Sequence, residues 1–258
     1  MKTLVNKTLK FPYNKVGMVG ILGGGEAYYQ KIKRIFDNNL IGYWPLWESS
    51  GSSAQDISGN FRNGVYSNSG VTYGTSGIGD GQNAISLDGV AGFVNLYSTS
   101  LSSAFSAPIG TWWLWLKLSS DILVNGVSSE ILMFRSDGNN RTYLQKDASN
   151  NSITLTYTAG GVIKGKTLSY SSTAYNLICL SWNKTNDRLR PYIGNTQQGA
   201  DISSLGTWSG VLNSARTLIG GDSTVPSLLT SMTVCHCGIL NKEISQAEID
   251  MLVDNFPK

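Results

Sequence analysis

The sequence predicts an all-β protein: two packed antiparallel sheets forming a jelly-roll sandwich, with a short N-terminal helix and a C-terminal helix. Three observations predict it. Short apolar runs alternate with polar residues at period two, the spacing that turns one side of a strand toward a core. Turn pairs punctuate these runs: Asp88-Gly89, Asn125-Gly126, Asp137-Gly138, Gly160-Gly161 and Gly220-Gly221. The 258 residues include 29 glycines, 41% hydrophobic residues and only 14% charged ones, which means many turns, a neutral polar surface and enough core for one large sandwich.

The elements follow in chain order. Residues 1–25 keep no sustained period and read as an extended arm. Residues 26–36 read as a helix, with Tyr28, Ile32, Ile35 and Phe36 on one face and Lys31, Lys33 and Arg34 on the other. Asp37, Asn38 and Asn39 end it. Such a basic amphipathic helix either docks on a partner or folds back on the sandwich, the commoner fate. Strands are expected at 41–46, 84–87, 93–97, 112–118, 130–135, 142–146, 153–157, 177–182, 189–193 and 231–237. In residues 111–118, Trp112, Leu114, Leu116 and Leu118 share one side, and Trp113, Trp115 and Lys117 the other. Ser245-Gln-Ala-Glu248 is a capping box that opens the last helix, whose apolar face is Ile249, Leu252 and Val253.

Charge divides the chain in two. Residues 1–38 hold seven basic and two acidic side chains, a charge of +5; the rest holds 13 and 15, a charge of −2. The expected organisation is a basic arm with its short helix at 1–38 and a sandwich domain at 39–258. The three cysteines form no disulfide framework. Cys179 lies in an apolar strand and reads as a small core residue; Cys235 and Cys237, two apart, are expected on one strand face. No run is apolar enough to span a membrane. Residues 16–22 follow Lys15 as a secretory signal would, but Pro12, the triple glycine at 23–25 and the missing cleavage site speak against one.

Residues 40–48, Leu-Ile-Gly-Tyr-Trp-Pro-Leu-Trp-Glu, lead into Asp56-Ile-Ser-Gly-Asn60 and Gly64. Ala84-Ile-Ser-Leu-Asp-Gly89, Gly110-Thr-Trp-Trp-Leu-Trp-Leu-Lys117, Leu180-Ser-Trp-Asn-Lys184 and the closing stretch at 238–249 follow in order. This succession resembles the LamG-like jelly-roll domains of the concanavalin A-like lectin/glucanase superfamily. The resemblance implies the fold, and a function among glycan binders, glycosidases and structural modules. Tyr28-Tyr-Gln-Lys-Ile-Lys33 and Gly77-Ile-Gly-Asp-Gly81 are similar to LamG-like proteins of tailed bacteriophages. That likeness implies a homo-oligomeric virion component (tail, fibre or capsid-surface), assembled in the host cytoplasm, with 1–38 as its anchor to other virion subunits. A free lectin is the alternative reading, and a glycosidase a third.

The resemblance also directs the search for chemistry. Glycosidases of the superfamily carry a strand motif Glu-x-Asp-x-x-Glu; here Glu248 and Asp250 are followed by Val253, on a helix, so no catalytic pair is expected. The sole histidine, His236, sits between Cys235 and Cys237, a set short of the four ligands of structural zinc and without an orienting base. Calcium is the one cofactor the family suggests, with Asp56 and Asn60 as ligands beside Ser58, although the closing strand lacks the family's acid. Among the many aromatics, Tyr66, Tyr73, Trp113 and Trp208, with Tyr97, are the candidates to stack on a host-surface glycan, whereas Trp112 and Trp115 read as core. The scarcity of interleaved cations excludes a nucleic-acid platform.

Overall fold

A computed structural model describes residues 26–224 and 227–254. The chain runs through helix α1 (Tyr28–Phe36), a single 3₁₀ turn, and then β1 (Leu40–Trp44), β2 (Ser53–Ala54), β3 (Gly64–Tyr66), β4 (Val71–Ser76), β5 (Asn83–Asp88) and β6 (Val94–Asn95). Helix α2 (Thr99–Ala104) precedes β7 (Ile109–Lys117), and α3 (Ser120–Val124) precedes β8 (Ser129–Asp137), β9 (Asn140–Lys146), β10 (Ser152–Ala159) and β11 (Val162–Ser169). The remainder is β12 (Asn176–Asn183), β13 (Arg188–Ile193), β14 (Thr196–Gln197), β15 (Thr217–Ile219), β16 (Ser231–Leu240) and α4 (Gln246–Val253).

Two antiparallel sheets result. The first runs β14-β13-β12-β7-β16-β5-β4, with β1 also on β16; the second runs β11-β10-β9-β8-β15-β6-β3-β2. Alternation along β7 decides the layers. Trp112, Leu114 and Leu116 enter the core between the sheets, where they meet Phe134, Leu144, Leu155 and Trp182. Trp113 and Trp115 point the other way, into a second core under the two terminal helices. The expected two-sidedness of this strand is therefore present, but both sides are buried.

Helix α1 makes that second core. Tyr28, Ile32 and Phe36, at the spacing read from the sequence, pack on the first sheet beside Ile249 and Leu252 of α4. The Tyr28 hydroxyl donates to the Leu252 carbonyl oxygen at 3.1 Å and accepts from Trp115 Nε1 at 2.9 Å. Helix α1 has thus folded back onto the sandwich, the commoner of its two expected fates, and residues 1–25 of the expected 1–38 arm lie outside the described residues. The capping box at α4 forms as expected, Ser245 Oγ accepting from the Glu248 N–H and Glu248 Oε2 from the Ser245 N–H.

One expectation fails at β16. A bulge between Cys235 and Gly238 breaks the register with β7, and His236 takes φ of 50°. The extra residue turns Cys235 toward the helix-side core and Cys237 into the core between the sheets, so the two do not share a face. All three cysteines are buried and free. Gly238, opposite Trp113, is required there because a Cβ would stand about 2.1 Å from the indole ring.

Candidate functional site

The end of the sandwich where β3 turns into β4 carries an open groove. One depression of about 500 Å³ is lined by Val65, Asn68, Ala91, Phe93 and Asn95. A second of about 260 Å³ is lined by Gly51, Ser52, Val71 and Tyr73, and the turn at 67–69 borders both. Local chemistry holds these walls. Asp88 Oδ1 accepts from the backbone N–H groups of Val90, Ala91 and Gly92 at 2.8 to 2.9 Å. Burial works against its charge, but those donors win and keep the Asp88 carboxyl below the usual carboxylate range. Ser67 Oγ accepts from the Phe93 N–H at 2.9 Å and donates to the Ser69 carbonyl at 2.8 Å, tying the two loops together.

Two of the aromatic candidates meet here. The rings of Tyr66 and Tyr73 pack edge-on with centroids 5.2 Å apart. Tyr66 is 1% exposed and donates to Glu48 Oε2 at 2.5 Å; burial, then the Glu48 carboxylate, push its hydroxyl well up. It serves as the floor rather than as a stacking surface. Tyr73 is half-buried and donates to the Gly51 carbonyl, leaving its ring on the groove wall.

The other aromatic candidates lie elsewhere. Trp113 is fully buried against Phe36 and Tyr43, at 5.2 and 6.3 Å, because α1 covers the sheet face it points from. It is a core residue, not a sugar platform. Trp208 is half-buried and closes the edge of the main core against Phe105 and Tyr157, at 5.4 and 5.9 Å. Tyr97 is half-buried and packs on the same core. The groove residues Asn68, Phe93 and Asn95 were not singled out in the sequence, where nothing marks a loop asparagine as lining a cavity.

The calcium candidates form a self-satisfied turn. Asp56 Oδ1 accepts from the N–H groups of Tyr43 and Ser58 at 3.0 and 2.9 Å, and Oδ2 from that of Arg62 at 2.8 Å. Asn60 Nδ2 donates to the Leu40 carbonyl and to Ser58 Oγ, both at 2.9 Å. Both carboxylate oxygens are thus committed to the backbone, and no cluster of three acidic, histidine or cysteine ligands stands among the described residues. This donor set does not fit a calcium ion.

His236 is likewise spoken for. Its Nδ1 lies 2.7 Å from the Tyr43 hydroxyl and its Nε2 3.1 Å from Asp80 Oδ2, off the ideal line of approach. Tyr28 of α1 packs edge-on over the ring at 4.8 Å, and the histidine is fully buried. Burial pushes the neighbouring Cys235 and Cys237 thiols up, away from the reactive thiolate. Glu248 is engaged in its cap and with Lys242, and Asp250 with Asn195 and Gln246.

No family model and no curated protein matches this sequence. Solved structures do. The binding domain of botulinum neurotoxin serotype D superposes with a TM-score of 0.63 at 17% identity, covering 84% of this chain and 51% of that one. The serotype D ligand binding domain in complex with N-acetylneuraminic acid gives 0.62 at 16%, covering 86% and 52%. A Trypanosoma rangeli sialidase mutant displaying trans-sialidase activity gives 0.61 at 13%, covering 83% and 33%. The chain thus spans about half or less of these structures, and at such identities the likeness shows the fold alone: a sandwich of two antiparallel β-sheets.

Proposed function

We propose that this chain is a non-catalytic carbohydrate-binding module that takes sugar in the groove between the 67–69 turn and Tyr73. The observation that carries this is the groove itself. It joins an aromatic wall to neutral amide and hydroxyl groups (Asn68, Asn95, Ser67), the mixture that meets a sugar's apolar face and its hydroxyls. The neighbours support it, since one is described as a ligand binding domain in complex with N-acetylneuraminic acid. A sialidase stands among them too. Against turnover, Glu248, Asp250 and Glu48 are all engaged in internal hydrogen bonds. The test is a glycan array on the whole chain, run well below the Tm of every variant and expected to show binding that Tyr73→Ala and Asn68→Ala abolish while both remain folded. Equal binding by both variants, or release of sugar by the purified protein, would overturn the reading.

The setting we infer is the surface of a phage virion, on the strength of the sequence likeness at residues 28–33 and 77–81 and of the basic leader. Because α1 is part of the sandwich, the anchor reduces to residues 1–25, which hold four lysines and no acid. A chain lacking them is expected to fold and bind glycan but not to join particles; normal incorporation would sink the anchor.

A further inference from the structure

Helices α1 and α4 both lie on the first sheet, and on the outer face of the second the half-exposed side chains include Arg135, Arg141 and Tyr143. Register sets its side chains in rows. Arg135 on β8 stands opposite Arg141 on β9, which stands opposite Thr158 on β10. On the other side β15 pairs Thr217 with Phe134, which brings Arg216 alongside Arg135. Three arginines therefore stand at neighbouring positions across β8, β9 and the residue that leads into β15, on backbones about 5 Å apart. The next row is Leu218, Met133, Tyr143 and Thr156, with Met133 and Leu218 buried as an apolar floor.

Like charges directly opposite destabilise a sheet, so such a row calls for a counter-charge. Arg216 has one, Asp222 at 2.8 Å. Arg135 and Arg141 make no ion pair among the described residues. Arg141 lies over the Tyr143 ring at 5.1 Å, and its Nε is buried without a partner. Thr158 Oγ1 and Glu130 Oε2, on residues 1% and 6% exposed, also lack partners. Burial, then the neighbouring Arg216 and Arg141, pull the Arg135 guanidinium below its ordinary value. Burial pushes Glu130, outward on the same face, up to about 8, so near neutral pH it is mostly a neutral hydrogen-bonding acid rather than the missing counter-ion.

We propose that this row is a binding site for a carboxylate-bearing sugar, its carboxylate held by the half-exposed Arg135 and Arg141 and a ring hydroxyl by Tyr143. Guanidinium forks match a planar carboxylate, and the Tyr143 hydroxyl matches a pyranose edge. Asp222 and Asp137 at the margins offset part of the row's positive charge. The sugar half of this inference rests on the carbohydrate-binding reading above; the anion half stands on the row itself.

Calorimetric titration of the whole chain with N-acetylneuraminic acid, glucuronic acid, glucose and inorganic phosphate tests it. The two acids are expected to bind here, with glucose and phosphate at least tenfold weaker. Arg135→Gln and Arg141→Gln should each weaken the acids roughly tenfold or more, with Tm unchanged or raised because a like-charge contact is relieved. Should a variant melt early, Arg135→Lys, which keeps the charge but loses the fork, must still weaken the acids. Acids bound equally by wild type and variants, or phosphate bound as well as the acids, would overturn the site. Neutral glycans bound through Tyr73 with the acids not bound would leave the groove standing and remove this row. No sugar bound at either place would remove both.

Discussion

Trp113 shows how a residue's surroundings decide its use. By alternation it faces away from its neighbour Trp112, and on an uncovered sheet it would be a sugar platform; with α1 above it, it is core. Trp113→Ala should therefore cost about 3–5 kcal/mol in a urea melt and leave glycan affinity unchanged. Trp208→Ala, which uncovers Phe105 and Tyr157, should likewise read as lost stability, about 2–4 kcal/mol, rather than lost binding. Glu130 gives a pH signature. Its folded pKa, about 8, stands above the ordinary glutamate value. Between the two the folded chain holds the proton that the unfolded chain has released, so this group lowers stability as pH rises through that window. Glu130→Gln should flatten the slope of stability against pH from about 4.5 to 8 and raise stability at the alkaline end. An unchanged slope would show the carboxyl is not the source.

At the scale of elements, the helices were legible because their signals are local. The Ser245/Glu248 box and the Tyr28–Ile32–Phe36 stripe need only the chain's own spacing. Ser245→Ala should cost about 1 kcal/mol, read as a lowered Tm. All ten expected strands form; the sequence did not announce the two longer edge strands β4 and β11, which carry glycine and polar residues and little buried surface, nor the short β2, β3, β14 and β15. A two- or three-residue strand has no period to detect; it exists because a neighbour offers hydrogen-bonding partners. The bulge at His236 went unread for a similar reason: β1 and β5 share one edge of β16, and the strand kinks where one partner gives way to the other. Removing residues 26–39, and with them α1, should expose Tyr43, Trp113 and Trp115. The expected result is an aggregating or dye-binding protein with a strongly lowered Tm, against an unaltered Tm for a chain lacking only residues 1–25.

For the whole molecule, local pattern was enough to set the class of fold, most of its strands and both terminal helices, and to leave the three cysteines unpaired. These depend on periods of two and of 3.6 and on turn chemistry, all written within a few residues of one another. What it could not determine was which faces remain open. That depends on where the terminal helices land, an interaction between residues some 220 positions apart in sequence, as Tyr28 and Leu252 are. Only the tertiary structure could bury Trp113, gather Tyr73 with the 67–69 turn, turn the Asp56 carboxylate onto its own backbone, and align Arg135 with Arg141. Burial and cross-strand register are properties of pairs brought together by folding, and no local pattern of residues encodes them.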